Sequence, residues 1–365
     1  MLRKLLQSMF AVLLGQYLSL GSIALPQSET GPDAGYVATG DVQAGIAVIR
    51  SLDVDNLPAG RFHFYFHAGW KATGQKFYVP VMVLKGEKPG KRLMITAAVH
   101  GDELNGIAVI HQLFAQVAPN DLTGTLIGVP GINQPGLQAG NRHYVGSGGS
   151  TMVDPNRQFP GKKTGGDAAS LYVGNLWYHL LKDNADLAID LHTQTRGTAY
   201  PLFVFADFSN STAQQMAYGL LPDMIKQDPG QKGTLETAFV SAGIPAVTFE
   251  LGEAGRWQQT TISRAVDGIL NVMRQQKVIA GPVVKPLVAP YVGKHYTNVY
   301  SREGGMVHIH VALKDSVKKG QHIATMVDPF GQEVRRYFAP HDGRVLAVAI
   351  DPLREAGAML VRVLR

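Results

Sequence analysis

The sequence of 365 residues contains no cysteine. This absence excludes a disulfide-stabilised scaffold, an iron–sulfur protein, a cysteine nucleophile and a zinc site built on thiolates. Charged residues are also scarce, at 17%, and the basic ones form no run longer than a pair, so a nucleic-acid surface is not indicated. A metal site in this chain must therefore use histidine, aspartate or glutamate.

The first 24 residues have the layout of a secretory signal peptide. Arg3 and Lys4 precede an apolar stretch, Met9–Leu20, and the segment ends in the small-x-small sequence Ser-Ile-Ala. A membrane anchor and a buried helix are the alternatives, but the stretch is short for a span and is interrupted by Gln16. We therefore expect residues 1–24 to be cleaved and the protein to be exported, with the periplasm as the expected compartment and no stable membrane span afterwards.

Residues 25–280 alternate apolar strands with helical periodicity after a Gly-, Pro- and polar-rich segment, 25–45, that we expect to be a poorly ordered lead-in. This alternation predicts an α/β catalytic domain with a mostly parallel mixed sheet flanked by helices. Strands are predicted at 62–67, 76–84, 92–99, 125–129, 187–191, 202–205 and 246–251. Helices are predicted to begin near Glu103 and to cover 167–182, with Asp167 as N-cap, and 260–276.

The pattern changes after residue 280. Residues 281–295 are Pro-rich, which predicts a linker. Residues 296–365 show no helical period, and glycine-containing turns separate short apolar segments. This favours a small all-β domain of the barrel or sandwich type.

Candidate metal ligands follow two of the predicted strands. The sequence His-Gly-Asp-Glu, with His100 and Glu103, stands where a buried strand gives way to a helix, and His192 ends another apolar strand two residues after Asp190. Two histidines and a glutamate form the ligand set of many catalytic zinc sites. The alternatives are a surface histidine beside a helix-capping acid and a histidine satisfied within the core.

Two further features carry chemistry. Glu250 interrupts the apolar strand 246–251, and such a group is unfavourable unless it is paired or functional, for example as a general base. Arg142 and Arg157 lie in one loop region, within Asn-Arg and Asp-Pro-Asn-Arg, and arginine binds carboxylates or an oxyanion. A structural salt bridge is the alternative for Glu250, and loop anchoring is the alternative for the arginines.

These elements occur in a recognisable order: H-x-x-E, N-R, D-x-N-R, a histidine at a strand end, and E-x-G. Over roughly residues 75–275 the chain resembles the succinylglutamate desuccinylase/aspartoacylase family, which has a zinc carboxypeptidase-like fold. The resemblance implies that His100, Glu103 and His192 bind one zinc ion. It also implies that Glu250 is the general base and that Arg142 stabilises the oxyanion.

The resemblance extends to the substrate and to the C-terminal domain. It implies that Asn141, Asn156 and Arg157 bind the substrate, with its carboxylate held by the last two, and that Asp154 orients His100. Residues 296–365 are similar to a lipoyl/biotinyl-like β domain, but they lack an acceptor-lysine signature, so we expect a structural or gating role.

The sequence therefore predicts a zinc-dependent hydrolase that cleaves an amide bond next to a carboxylate, as an N-acyl amino acid deacylase does. The alternatives are an exported zinc carboxypeptidase or amidase acting on peptides or cell-wall peptides, and a non-catalytic binding protein. A narrow pocket closed by residues 143–153 or by the C-terminal domain would favour small substrates, and an open groove would favour peptides. Self-association is left open.

Overall fold

The fold is described from a computed structural model that covers residues 34–146 and 152–365. The predicted signal segment, 1–24, lies outside the described residues, as do five residues of the loop 143–153. No helix in the described ranges is long and apolar enough to cross a membrane.

A single large sheet organises the first three quarters of the chain. Its order is β1-β2-β3-β4-β6-β5-β9-β13-β11-β12-β14, with parallel pairing at the centre. The short strands β7 and β8 form a separate hairpin, and β10 joins another sheet. The strands are β1 Tyr36–Gln43, β2 Ile46–Leu52, β3 Gly60–Trp70, β4 Lys76–Lys85, β5 Lys88–Ala97, β6 Thr123–Pro130, β7 Tyr144–Val145, β8 Met152–Val153, β9 Leu187–Gln194, β10 Thr198–Ala199, β11 Leu202–Ala206, β12 Met224–Gln227, β13 Ala246–Glu253 and β14 Tyr291–Gly293.

Helices cover both faces of this sheet. Residues of α1, α4 and α6 share one apolar core with the central strands, and residues of α3 and α5 share a second core with them. The central strands are therefore buried on both faces, which explains their continuous apolar sequences. The helices are α1 Asn105–Gln116, α2 Gln134–Ala139, α3 Ala168–Leu176, α4 Ser211–Gly219, α5 Leu235–Ser241 and α6 Gln259–Gln275.

The predicted α/β fold class is confirmed, and the local signals behave as expected. The Asp167 carboxylate accepts a hydrogen bond from the Ser170 amide at 2.7 Å and so caps α3. The helix predicted over 167–182 is less uniform than expected, because α3 ends at Leu176 and a wider π-type turn, Trp177–Leu181, follows.

The expected lead-in over 25–45 is wrong for its described part. β1 occupies Tyr36–Gln43 and pairs antiparallel with β2 through a turn at Ala44 and Gly45, both with positive φ. β1 is an edge strand whose residues are half-buried or exposed, so it lacks the apolar alternation by which strands are recognised.

The C-terminal residues form the predicted all-β unit. Four of its strands build a sheet that β10 also joins, in the order β10-β20-β22-β15 with β17 beside β20, and four build a second sheet, β19-β18-β16-β21. Side chains from both sheets share one apolar core. The strands are β15 Tyr296–Tyr300, β16 Gly305–Ile309, β17 Ser316–Val317, β18 His322–Val327, β19 Glu333–Phe338, β20 Gly343–Ala349, β21 Leu353–Arg354 and β22 Met359–Leu364.

This unit packs directly on the large sheet. β10 pairs with β20, and a small apolar cluster joins Tyr200, Phe203 and Met224 to Leu346 and Leu364. Within the predicted linker 281–295, β14 adds to the edge of the large sheet beside β12. The C-terminal residues are thereby held against the carboxyl end of the central strands.

Candidate metal centre and active site

Three neighbouring strands bring the predicted ligands and base to one edge of the large sheet. β9 lies between β5 and β13 and runs parallel to both. His192 lies in β9, Glu250 is its direct partner in β13, and His100 follows the end of β5. Because the carboxyl ends of parallel strands meet at one edge, residues distant in sequence converge there.

The turn after β5 depends on two backbone features. Ala98 has a φ of 56°, which is unusual for a residue other than glycine and redirects the chain. A Cβ atom at Gly101 would lie 2.1 Å from the carbonyl carbon of Gly136 in α2, so only glycine permits this approach. The tight turn brings the side chains of His100 and Glu103 together.

His100, Glu103 and His192 form a buried cluster. The Nδ1 atom of His100 lies 2.8 Å from Glu103 Oε1, and the Nδ1 atom of His192 lies 3.0 Å from Glu103 Oε2. The two Nδ1 atoms are 3.2 Å apart. Both rings therefore direct the same nitrogen toward one point beside the carboxylate.

The outer ring nitrogens contact carboxylates. His192 Nε2 lies 2.6 Å from Asp190 Oδ2, and Asp190 Oδ1 accepts a hydrogen bond from Thr96 Oγ1 at 2.7 Å. His100 Nε2 lies 3.2 Å from Asp154 Oδ1. Carboxylate–histidine contacts of this kind fix the orientation of metal-binding imidazoles.

The charges of the cluster balance one another. Burial opposes ionisation of Glu103, but His100 and His192 hold its pKa well below the ordinary value. Burial also opposes protonation of His192, but the Asp190 and Glu103 carboxylates raise its pKa well above the ordinary value. The Thr193 amide also donates to Glu103 Oε2 at 2.9 Å. The cluster is thus organised around the Glu103 carboxylate.

These residues fit a metal ion. One ligand atom from each of His100, Glu103 and His192 lies within 4.8 Å of the others, and among the described residues this is the only such group of three or more histidine, aspartate or glutamate side chains. Two imidazole nitrogens and one carboxylate suit Zn²⁺ and leave a position for water. The cluster could therefore hold one metal ion.

Glu250 lies beside this cluster with an unsatisfied oxygen. The residue is 8% exposed, and its Oε2 atom is buried without a hydrogen-bond partner in the described structure. Burial raises the pKa of Glu250 to about 8. At that pKa the group is mostly protonated at neutral pH, and a cation bound nearby would lower the pKa and favour the carboxylate form, whose unpartnered oxygen could then accept a proton.

Arg142 approaches the cluster from the segment after α2. Its Nη1 atom donates to Glu103 Oε1 at 2.9 Å, and its Nη2 atom lies 3.8 Å from Asp154 Oδ2. A guanidinium group beside the metal ligands can stabilise negative charge that develops there.

Of the three predicted substrate-binding residues, Asn156 and Arg157 line the cavity and Asn141 does not. Arg157 lines the same cavity as the cluster, and its Nη1 atom donates to the backbone oxygen of Asn156 at 2.7 Å. Asn156 also lines the cavity, although its Oδ1 atom accepts from the Leu235 amide at the start of α5. Asn141 is not among the cavity residues, because its side chain contacts the His143 amide and Met152.

The cavity has a volume of about 270 Å³ and is lined by segments that lie between His100 and Arg362 in the sequence. Sequence reasoning missed Glu236, in the first turn of α5, whose Oε2 atom accepts from Thr248 Oγ1 at 2.7 Å. Burial raises the pKa of Glu236 to about 8. Sequence reasoning also missed Tyr296 and Arg362, which line the cavity from the C-terminal unit. Arg362 had a detectable signal, since it interrupts an apolar strand as Glu250 does.

Comparison with known families agrees with this architecture. The sequence model of the succinylglutamate desuccinylase/aspartoacylase catalytic domain matches residues 89–276, which is more than half of the chain. The protein therefore belongs to this family. The matched region contains the cluster of His100, Glu103 and His192, together with Glu250 and Arg142.

One relative in sequence and two solved structures are similar to this chain over most of its length. The chain is 27% identical over 282 residues to N-alpha-acetyl-L-2,4-diaminobutyric acid deacetylase of Halomonas elongata, covering 74% of this chain and 80% of the relative. The ectoine utilization protein EutE (DoeB) of Ruegeria pomeroyi superimposes with a TM-score of 0.74 at 24% identity, over 84% of this chain and 95% of that one. A succinylglutamate desuccinylase from Silicibacter gives a TM-score of 0.72 at 22% identity, over 84% and 96%. These two likenesses establish the fold.

Proposed function

We propose that this protein is a zinc-dependent hydrolase that removes the acyl group from a small N-acyl amino acid. The observation that carries the proposal is the cluster of His100, Glu103 and His192 beside the unsatisfied carboxylate of Glu250, in one cavity. The family membership and the deacetylase activity named for the Halomonas relative support it.

The roles of the chain's own residues follow from their positions. A bound zinc ion would supply Lewis acidity and lower the pKa of a water molecule. Glu250 Oε2 accepts the proton of the attacking water and passes it to the amine nitrogen as the carbon–nitrogen bond breaks. Arg142 stabilises the oxyanion that develops on the amide carbonyl, while Asp190 and Asp154 keep the histidine rings aligned.

The cavity favours a small substrate over a peptide. A volume of about 270 Å³ lies just below the usual range for ligand sites, and Tyr296 and Arg362 of the C-terminal unit contribute to the cavity wall. Arg157 makes no salt bridge within 4 Å in the described structure and is therefore available to bind the substrate carboxylate. These features support an N-acyl amino acid rather than the alternative carboxypeptidase or cell-wall amidase substrate.

Metal analysis and a substrate panel test the proposal. Purified protein is expected to contain about one zinc ion per chain, to lose activity on chelation and to hydrolyse N-acyl amino acids faster than peptides. The Glu250→Gln variant is expected to keep the metal and to lose about 10²–10⁴-fold in kcat, because general base catalysis contributes on that scale.

Glu253→Gln is the matched control. Glu253 lies in the same strand and is also 8% exposed, but it contacts Arg256 and Gln258 and is not among the cavity residues. Its activity is expected to stay within about 3-fold of the wild type. A folded protein that binds no metal, or equal activity in Glu250→Gln and wild type, would falsify the mechanism.

Export is proposed on the sequence alone. The basic residues, the apolar stretch and the small-x-small end of residues 1–24 support it. Cell fractionation with mass analysis of the mature N-terminus tests it, and uncleaved protein confined to the cytoplasm would contradict it.

A further inference from the structure

Three histidines lie together on the outer face of the C-terminal unit. His308 lies in β16 and His310 directly follows it, and both are exposed because they alternate with residues that pack on the apolar core. His322 begins the neighbouring strand β18, which pairs antiparallel with β16. None of the three is among the cavity residues, so the proposed hydrolysis does not use them.

Two of the rings converge on one hydroxyl group. The Nε2 atom of His310 lies 2.8 Å from Thr325 Oγ1, and the Nε2 atom of His322 lies 2.9 Å from the same oxygen. The centres of the two rings are 4.6 Å apart. The pairing of the strands therefore directs one imidazole nitrogen from each ring at a single point, which the threonine hydroxyl occupies in the structure.

The third ring lies next to this pair. His308 is the direct partner of Thr325 in the antiparallel register, and directly opposite residues have Cβ atoms about 5 Å apart. The His308 ring makes no hydrogen bond among the described residues. Its side chain is therefore free to turn toward the point on which the other two nitrogens converge.

His310 is in the form that binds metals. Burial, and then the neighbouring His322 and His308, lower the pKa of His310, so its ring is neutral at pH 7. Within the described ranges, the only histidine–carboxylate contacts under 4 Å belong to the active-site cluster. No carboxylate therefore holds the three outer rings in the protonated form, and a neutral imidazole is the form that a metal ion requires.

His322 needs one rearrangement of its proton. Its Nε2 atom also lies 3.0 Å from the backbone oxygen of Ala324, which can only accept, and this contact assigns the proton to Nε2. The Nδ1 atom of His322 makes no hydrogen bond among the described residues. The proton can move to Nδ1 while the ring stays neutral, and Nε2 then offers a lone pair.

We propose that His308, His310 and His322 bind a second divalent metal ion, apart from the catalytic centre, with water in the remaining positions. Three imidazoles suit Zn²⁺, Cu²⁺ and Ni²⁺, whereas Mg²⁺ and Ca²⁺ prefer oxygen ligands. The ion takes the place of the Thr325 hydroxyl and links β16 to β18. Because only the folded unit presents all three rings, the ion also stabilises that unit.

Calorimetric titration of Zn²⁺ into protein that already holds the catalytic ion tests the proposal. We expect about one further ion per chain and no binding of Mg²⁺. His310→Gln, His322→Gln and His308→Gln are each expected to weaken binding of the further ion by at least about 10-fold, because loss of a residue behind a metal ligand alone has an effect on that scale. Hydrolytic activity is expected to stay unchanged in all three variants.

His341→Gln is the matched control. His341 belongs to the same unit and its Nε2 atom also contacts a threonine hydroxyl, Thr297 Oγ1, at 3.0 Å. It makes no ring contact with another histidine in the part of the chain that the structure describes. Its affinity for the further ion is expected to equal that of the wild type.

Thermal unfolding separates loss of the site from loss of the fold. Without added metal, the variants are expected to unfold at the wild-type temperature, and excess Zn²⁺ should raise that temperature further in the wild type and His341→Gln than in the other three. Three results would overturn the inference: no further ion in the wild type, wild-type affinity in any of the three variants, or an equal loss in His341→Gln. Absence of hydrolysis would contradict only the proposed function, because the outer site does not include the active-site residues.

Discussion

The cavity has two walls that differ in how their charges are arranged. The strand-end wall consists of His100, Glu103, His192 and Glu250, and its histidines and ligand carboxylate contact one another within about 3 Å. The C-terminal wall consists of Tyr296 and Arg362, and it offers an aromatic ring and a cation with no carboxylate partner in the described structure.

This difference suits the two walls to different functions, catalysis for the strand-end wall and substrate recognition for the C-terminal wall. The two histidines and Glu103 hold one another in place, which suits the proposed metal site, because its ligands must keep fixed positions. A cation without a partner gains most from an incoming anion, which suits recognition. We therefore expect changes in the strand-end wall and its supports to alter rate or metal affinity for every substrate, and changes in the C-terminal wall to alter substrate preference.

The largest effect among the supporting residues is expected for Arg142→Met. Loss of an oxyanion donor typically lowers kcat by about 10²–10³-fold, and the loss should be similar for all substrates because the amide carbonyl is common to them. Steady-state kinetics on the substrate panel measure this. Arg92→Met is the control, since Arg92 is also salt-bridged, to Asp186, but lies outside the cavity. If Arg142→Met changed the substrate preference without lowering kcat, the assignment of different functions to the two walls would be wrong.

A smaller effect is expected for the carboxylates behind the histidines. Asp190→Asn should weaken binding of the proposed zinc ion by about 10- to 100-fold, as loss of such partners typically does. Asp154→Asn should have less effect, because its contact with His100 is 3.2 Å rather than 2.6 Å and its side chain is 22% exposed rather than 2%. Competition with a chromogenic chelator measures both affinities. The reverse order, or no effect of either, would show that the rings are oriented by other contacts.

The last effect concerns Glu236 and is a dependence of stability, rather than of activity, on pH. Burial raises the pKa of Glu236 from 4.5 to about 8, so the folded state holds a proton that the unfolded state has lost. Stability from this group is therefore lost as pH rises from about 4.5 toward 8, by about 1.4 kcal/mol per pH unit within that window. Urea unfolding of chelator-treated protein at pH 5 and pH 7 measures the loss.

Glu236→Gln removes this titration, so the variant should lose less stability between pH 5 and pH 7 than the wild type does. Glu253→Gln is the control and should keep the wild-type slope. Parallel slopes for wild type and Glu236→Gln would mean that Glu236 is ionised in the folded protein.

Part of this description could be predicted from the sequence because the signals are local. Apolar runs ending at His100 and His192 located two strand ends, and parallel strands bring such ends together. The strand register that places Glu250 opposite His192 is visible only in the tertiary structure. The sequence showed Glu250 as a candidate because it is a charged residue within an apolar strand. The prediction for Asn141 rested on its place in a motif, and only the coordinates show that its amide is occupied by His143 and Met152.

The sequence by itself determined the α/β class and the place of two histidines and a glutamate near strand ends, and the absence of cysteine limits any metal site to ligands of these types. Hydrophobic periodicity and a tight turn at glycine involve only a few neighbouring residues, so both can be recognised in the sequence. Only the tertiary structure decided what closes the cavity. Arg362 and Tyr200 are 162 residues apart, and their contact depends on how the C-terminal sheet packs on β10 and the large sheet. No local pattern encodes that packing, because it arises from the complementary shapes of two surfaces that are distant in the sequence.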